Sequence, residues 1–200
     1  MLTFAAMETK SELFTLLERY HLAFEEEKNN TNALIAFLHL TPANALYTRN
    51  NFIGHITASA FIVDPAQSAL LFLHHKKLNR WLQPGGHVDE SDQSLAEAAW
   101  REAFEETGLG RDEMQLQDLH GTSGLNDIDS HNIPANATKN EPAHVHHDLR
   151  FLFTCNQPGL LNVNTTEANG FKWVPLTTLI SDSTFAVVAQ KIKRSLELFN

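Results

Sequence analysis

Between Arg101 and Leu109 the chain reads REAFEETGL, and no other run constrains the fold as strongly. Glu102, Glu105 and Glu106 stand at i, i+3 and i+4, so a helix brings all three carboxylates onto one face. Like charges at that spacing destabilise a helix. The segment from about Gln93 to Thr107 is nevertheless predicted to be helical: Ser94-x-x-Glu97 is a capping-box signature, and Gly108 supplies a left-handed stop. At about 100° per residue, Ala96, Ala99, Trp100, Ala103 and Phe104 share an arc that should face a core. The glutamates fall on the adjacent arc, at the edge of that packed face. Glu97 precedes Arg101 by four residues in the favourable order, and Arg101 also reaches Glu105. One arginine does not neutralise three acids held together. A hard divalent cation would, because Mg²⁺ takes carboxylates, waters and substrate phosphates as ligands. The PGGH run just before the helix suits the same chemistry: glycines admit close backbone approach, and backbone N–H groups bind anions.

The rest of the chain supplies elements for a layered domain. Residues 1–45 are expected to form an N-terminal helical extension. It comprises an amphipathic helix over Glu8 to Lys28, with Leu13, Leu16, Leu17, Tyr20 and Phe24 as its stripe. A short helix over Asn32 to Leu38 follows, ended by Thr41-Pro42. In residues 46–200 the period changes to that of strands. FIGHITASAFIV and SALLFLHH read as strands joined by a DPAQ turn, and RWLQPGGHV as a short strand entering the glycine loop. A strand near Met114 to Thr122 precedes NDIDSHNIPANATKNEP, which reads as a loop by composition. HVHHDLRFLFTC and FKWVP are strands, and AVVAQKIKRSLELF is a closing helix. Helices and strands mixed in this order predict an α/β layered domain with a mixed sheet.

Composition narrows the partners. The net charge is −9, and the lysines and arginines are not clustered. A nucleic acid polymer needs a basic stripe, so none is expected to bind. The single cysteine, Cys155, lies in an apolar run and reads as a buried thiol. No signal peptide and no membrane-spanning run is visible, which predicts a cytoplasmic protein that touches no membrane.

GGHVDESDQSLAEAAWREAFEETGL resembles the Nudix box. The second half matches at Arg101, Glu102, Ala103, Glu105, Glu106, Gly108 and Leu109. With each residue type used at roughly one in fifteen, the fixed charged residues and glycine would coincide about once per million starting points. The first half departs from the pattern. Asp92 stands where glutamate is usual, and eight residues, where the family has seven, separate it from Arg101. Either Asp92 or Glu90 takes the first glutamate's place, and the extra residue is expected in the loop, since within the helix it would rotate the face. The segments GHITASAFIV, WLQPGGHV and HHDLRFLF extend the likeness to one bacterial branch of the family.

The resemblance implies an α/β/α sandwich that hydrolyses a phosphoanhydride in a nucleoside diphosphate-linked small molecule. It implies Mg²⁺ or Mn²⁺ held by Glu102, Glu105 and Glu106, with Arg101 fixing the glutamates and Gly86 shaping the loop. Glu102, Glu105 and Arg101 are thus the catalytic candidates. Gly85, Gly86, His87, His146 and Asp148 are candidates for substrate binding, and Glu141, Asp148 and Glu167 for the general base. His144, His146 and Asp148 alternate onto one strand face, while Val145, Leu149 and Phe151 suit wall or core. Imidazoles beside a carboxylate suit substrate or a transition metal, although ordinary strand-end histidines are the plainer reading. Trp81 and Trp173 read as packing residues. The secondary marks of ADP-ribose, diadenosine-polyphosphate and NADH hydrolases are missing. A catalytically silent nucleotide sensor on the same fold is the alternative, and a complete set of glutamates argues against it. Apolar positions on the first helix are compatible with a homodimer.

Overall fold

A computed structural model describes residues 7–118, 120–182 and 184–197. Chain order runs α1 (Lys10–Ala23), α2 (Asn32–Leu40), β1 (His55–Asp64), β2 (Ala69–His75), β3 (Arg80–Leu82), β4 (Gly85–His87), α3 (Leu95–Thr107), β5 (Met114–Leu116), β6 (Leu125–Ile133), β7 (His144–Cys155), β8 (Ala168–Pro175), α4 (Leu176–Leu179) and α5 (Ala186–Glu197). The strands form one mixed eight-stranded sheet with the central order β3-β2-β1-β7-β5. β4 pairs with β1, β6 with β7 and β8 with β2. The β1–β7 pair is parallel, with His55 opposite His146 and Thr57 opposite Asp148.

β1 is buried along its whole length, and its alternation separates two layers. Ile56, Ala58, Ala60 and Ile62 share an apolar cluster with α1, α2 and α3. Phe61 and Val63 join Leu176, Leu179, Val188, Ala189 and Ile192 of α4 and α5 on the other face. The result is the expected α/β/α sandwich. The stripe of α1 is buried within the chain itself, and the α1 N-terminus carries a complete Thr9–Glu12 capping box.

Several expectations need correction. The segment predicted as a loop from Asn126 contains β6, paired antiparallel with β7 from Leu125↔Phe151 to Ile133↔His144. Its polar residues give the strand a loop-like composition because they form charge pairs across the strands, Asp127 and Asp129 both meeting Arg150. The strand expected at Met114–Thr122 is three residues long, and Leu119 lies outside the described residues. The first helix stops at Ala23, followed by a 3-10 turn at Glu25–Glu27. The closing helix was predicted to end beyond residue 197, outside the described residues.

On α3, the buried residues are Leu95, Ala98, Ala99, Ala103 and Thr107. Phe104 is exposed and stacks on Trp100 at 5.4 Å between ring centroids, with the Arg111 guanidinium 4.0 Å from the Trp100 ring. The helix start uses only half of the capping box: Ser94 Oγ accepts from the Glu97 amide, while the Glu97 carboxylate turns to Arg111 and not to Arg101. The next amide, that of Leu95, donates to Glu8, at 3.0 and 3.2 Å to its two oxygens. The N-terminal segment therefore caps the helix that carries the acids, which relieves orphan donors there.

Candidate active site

The acids lie where α3 packs along β1 and β4. A Cβ on Gly86 would stand 2.5–2.7 Å from the Glu102 carboxyl group, so only glycine lets this strand approach so closely. A side chain on Gly85 would overlap Ser59 of the paired strand. The double glycine is thus required twice, once by the acid and once by the sheet.

Arg101 organises the cluster. It donates through Nε and one terminal nitrogen to the two oxygens of Asp92, both at 2.9 Å. It also reaches Glu102 at 3.0 Å, Glu105 at 3.3 Å and the His87 carbonyl at 2.8 Å. Asp92, not the exposed Glu90, is therefore the acid paired with the box arginine. The additional residue lies in the loop before Leu95, and the helical face is not rotated.

Burial sets the electrostatics. It pushes the Glu102 carboxyl up to about 7, against the pull of Arg101 and helped by Glu105 and Glu167. It pushes Glu106 up to about 8, reinforced by Glu102 and Glu167 and opposed by the Gly85 amide. Glu105 is half-exposed. Glu102 and Glu105 thus share one guanidinium that is itself forked onto Asp92, while Glu106 and the neighbouring Glu167 add acidic groups to the same cluster. Such a cluster of oxygen donors with surplus negative charge fits a hard divalent ion.

Of the residues expected at the site, Arg101, Glu102, Glu105, Glu106, Gly85 and Gly86 come together. His87, His146 and Asp148 lie elsewhere. His87 pairs with Thr57 while Gly86 pairs with Ala58, so consecutive residues of β4 address opposite faces of the sheet. Asp148 accepts from Thr57 at 3.1 Å, from Ser59 at 2.8 Å, from Gln83 at 3.3 Å and from Arg150 at 2.9 Å. Its lone pairs are committed to holding together β1, β7 and the link at Gln83 that leads into Gly85. Glu141 pairs with Arg49 at 3.1 Å. Among the three base candidates, Glu167 is the one whose charge bears on Glu102 and Glu106. Trp81 is partly exposed beneath the Lys172 ammonium, 4.4 Å from the ring.

A second network escaped the sequence reading. Lys191 of α5 is fully buried, donating to Tyr20 at 3.1 Å and to Asp127, with Glu27 at 3.8 Å. Asp127 also accepts from Arg150 at 3.0 Å, and Arg150 leads to Asp148 and Ser59. A chain of alternating charges thus joins α1 and α5 to the strand that supports the double glycine. A lysine at i on an amphipathic helix gives no local sign of burial, so only the partners reveal it.

The NUDIX domain family model matches residues 54–196. A probable DHNTP pyrophosphohydrolase from Lactococcus lactis subsp. cremoris (strain MG1363) is 31% identical over 123 residues, which span 62% of this chain and 69% of that protein. A NUDIX-family hydrolase structure from Clostridium perfringens aligns with a TM-score of 0.51 at 25% identity, over 73% of this chain and 98% of that one. The E. coli dihydroneopterin triphosphate pyrophosphohydrolase has a similar fold, with a TM-score of 0.52 at 15% identity over 70% of this chain and 92% of that one. This chain belongs to the Nudix hydrolase family. No helix among the described residues is long and apolar enough to cross a membrane.

Proposed function

We propose that this protein is a divalent-metal-dependent pyrophosphohydrolase acting on a small nucleotide-like substrate. The observation that carries the reading is the Glu102 carboxyl held against the bare Gly86 backbone and, with Glu105, on the Arg101 guanidinium, while burial pushes Glu102 and Glu106 up to about 7 and 8. Glu102, Glu105 and Glu106 would hold Mg²⁺ or Mn²⁺, whose chemistry there is to neutralise phosphate charge and lower the pKa of a bound water.

The chain's own residues do the rest. Arg101 fixes the glutamates and, through the His87 carbonyl, the end of β4. Gly86 lets the Glu102 carboxyl lie against the strand with no intervening side chain, and the Gly85 amide donates to Glu106. Glu167, exposed and close to the glutamates, is the base that takes the proton of the attacking water. A triphosphate carried on a pterin or similar bicyclic ring is the first substrate to try, given the name of the Lactococcus relative.

The test is a turnover screen with Mg²⁺ or Mn²⁺ over nucleoside triphosphates, dihydroneopterin triphosphate, nucleotide sugars and dinucleotides. Turnover by the wild type, lost in Glu105→Gln and Glu106→Gln, is the expected result. Turnover indifferent to both substitutions removes the site assignment. Saturable binding with no turnover on any substrate returns the protein to the sensor class.

A further inference from the structure

On the face of the sheet opposite α3, four imidazoles gather at the ends of three strands. His55 and His146 are register partners on β1 and β7, and His87 ends β4. Ring centroids lie 4.6 Å apart for His55–His146, 5.1 Å for His55–His87 and 5.2 Å for His87–His146. One ring nitrogen from each of the three lies within 4.8 Å of the others. His144 stands behind, 5.0 Å from His146 and 5.1 Å from His55.

We propose that His55, His87 and His146 form a site for a borderline transition-metal ion of the Zn²⁺, Co²⁺ or Ni²⁺ class, separate from the glutamate centre. Beyond the clustering itself, one unpartnered buried nitrogen points to a ligand. His55 is fully buried, yet its Nε2 has no hydrogen-bond partner among the described residues. Its Nδ1 lies 3.4 Å from the Asn51 carbonyl; donation there leaves the lone pair on Nε2. That is how metal-binding histidines are commonly oriented, the second nitrogen donating to a carbonyl. His144 Nδ1 donates to the Pro142 carbonyl at 2.8 Å, so its Nε2 accepts from Nε2 of His146 at 3.2 Å, which fixes the His146 ring and leaves its Nδ1 as the nitrogen with a free lone pair.

The donor set decides the ion class. Imidazoles select Zn²⁺ and its neighbours, whereas carboxylates select Mg²⁺. Tetrahedral bonds of about 2.1 Å require donor nitrogens roughly 3.4 Å apart, so the cluster must tighten around the ion. His87 and His146 are only half-buried and have room to turn. Three protein ligands leave a fourth position open to water. Arg49, whose charge bears on His55 and His87, is already paired with Glu141 at 3.1 Å. Burial and the neighbouring imidazoles keep His87 and His146 well below their ordinary values, which leaves the lone pairs available at neutral pH.

The experiment is a Co²⁺ titration of chelator-stripped full-length protein, followed by visible absorption in excess Mg²⁺. One equivalent should produce the intense bands of a four-coordinate, nitrogen-ligated ion. The bands should persist in Glu105→Gln and disappear in both His87→Asn and His146→Asn. X-ray absorption on Zn²⁺-loaded wild-type protein, which needs no variant to fold, should count three imidazoles. Bands lacking in the wild type, bands lost to Mg²⁺ or to Glu105→Gln, bands retained in both histidine variants, or a zinc shell of oxygen alone would each overturn the site.

Discussion

Arg101 grips Asp92 through two hydrogen bonds of 2.9 Å, one to each carboxylate oxygen. The acid is one methylene shorter than the family's usual glutamate, and the loop that delivers it is one residue longer. The fork, a geometry that arginine favours with carboxylates, therefore survives the departure in the sequence. Because the same guanidinium touches Glu102 and Glu105, Asp92 positions the acidic face without belonging to it.

Asp92→Asn should accordingly slow turnover by about 10–100-fold, the usual cost of losing a group that orients metal ligands. Glu90→Gln should leave it unchanged. Steady-state kinetics across a Mn²⁺ series checks this: the loss should be partly recovered at high Mn²⁺. Equal effects of the two substitutions would remove Asp92 from its role.

Gly86→Ala probes the close approach of strand and acid. Its methyl group would meet the Glu102 carboxyl at 2.5–2.7 Å, so the acid must move while the rest of the domain stays folded. Calorimetry should show Mn²⁺ binding weakened, with circular dichroism unaltered. Wild-type affinity in this variant would mean that Glu102 is not a ligand.

Glu167→Gln separates base from ligand. Loss of a general base costs about 10²–10⁴-fold, here in kcat, with Mn²⁺ affinity nearly preserved. A variant that retains its kcat would return the base role to water or to another acid.

The raised acids predict how stability depends on pH. Glu102 and Glu106 sit at about 7 and 8, above an ordinary value of 4.5. Between those limits the folded, ion-free protein holds protons that the unfolded chain has released, so its stability falls as pH rises through about 7 and 8. This contribution is fully present only below about pH 4.5. A divalent ion replaces the protons, so Mn²⁺ should raise Tm more at about pH 8.5 than at about pH 5.5. An equal rise at both pH values would contradict the buried pair.

Lys191→Met tests the buried charge chain. Removing one partner of a buried ion pair costs about 3–5 kcal/mol, and Arg150, still 3.0 Å from Asp127, should keep the loss near the lower figure. Lys191→Met combined with Asp127→Asn should recover part of it in urea denaturation. An additive double variant would show that the two groups are not coupled.

Much of the acidic centre was legible because its information is local. Glu102, Glu105 and Glu106 share a face by helical period alone, and the Ser94 cap and Gly108 stop bound that helix within a few residues. The strands β1, β2 and β7 announced themselves by apolar content for the same reason. What the tertiary structure decided were relations across long separations. Thr57 meets Asp148, 91 positions away, and that pairing commits a carboxylate that local pattern left free to act as a base. β6 looked like a loop because its charges answer Arg150 on the neighbouring strand, and the burial of Lys191 has no local sign because its partners lie on α1 and β6. Periodicity encodes which face a residue takes; only the closed sheet determines what that face meets, and so it alone could bring His87 and His146, on strands flanking β1, beside the buried, unpartnered nitrogen of His55.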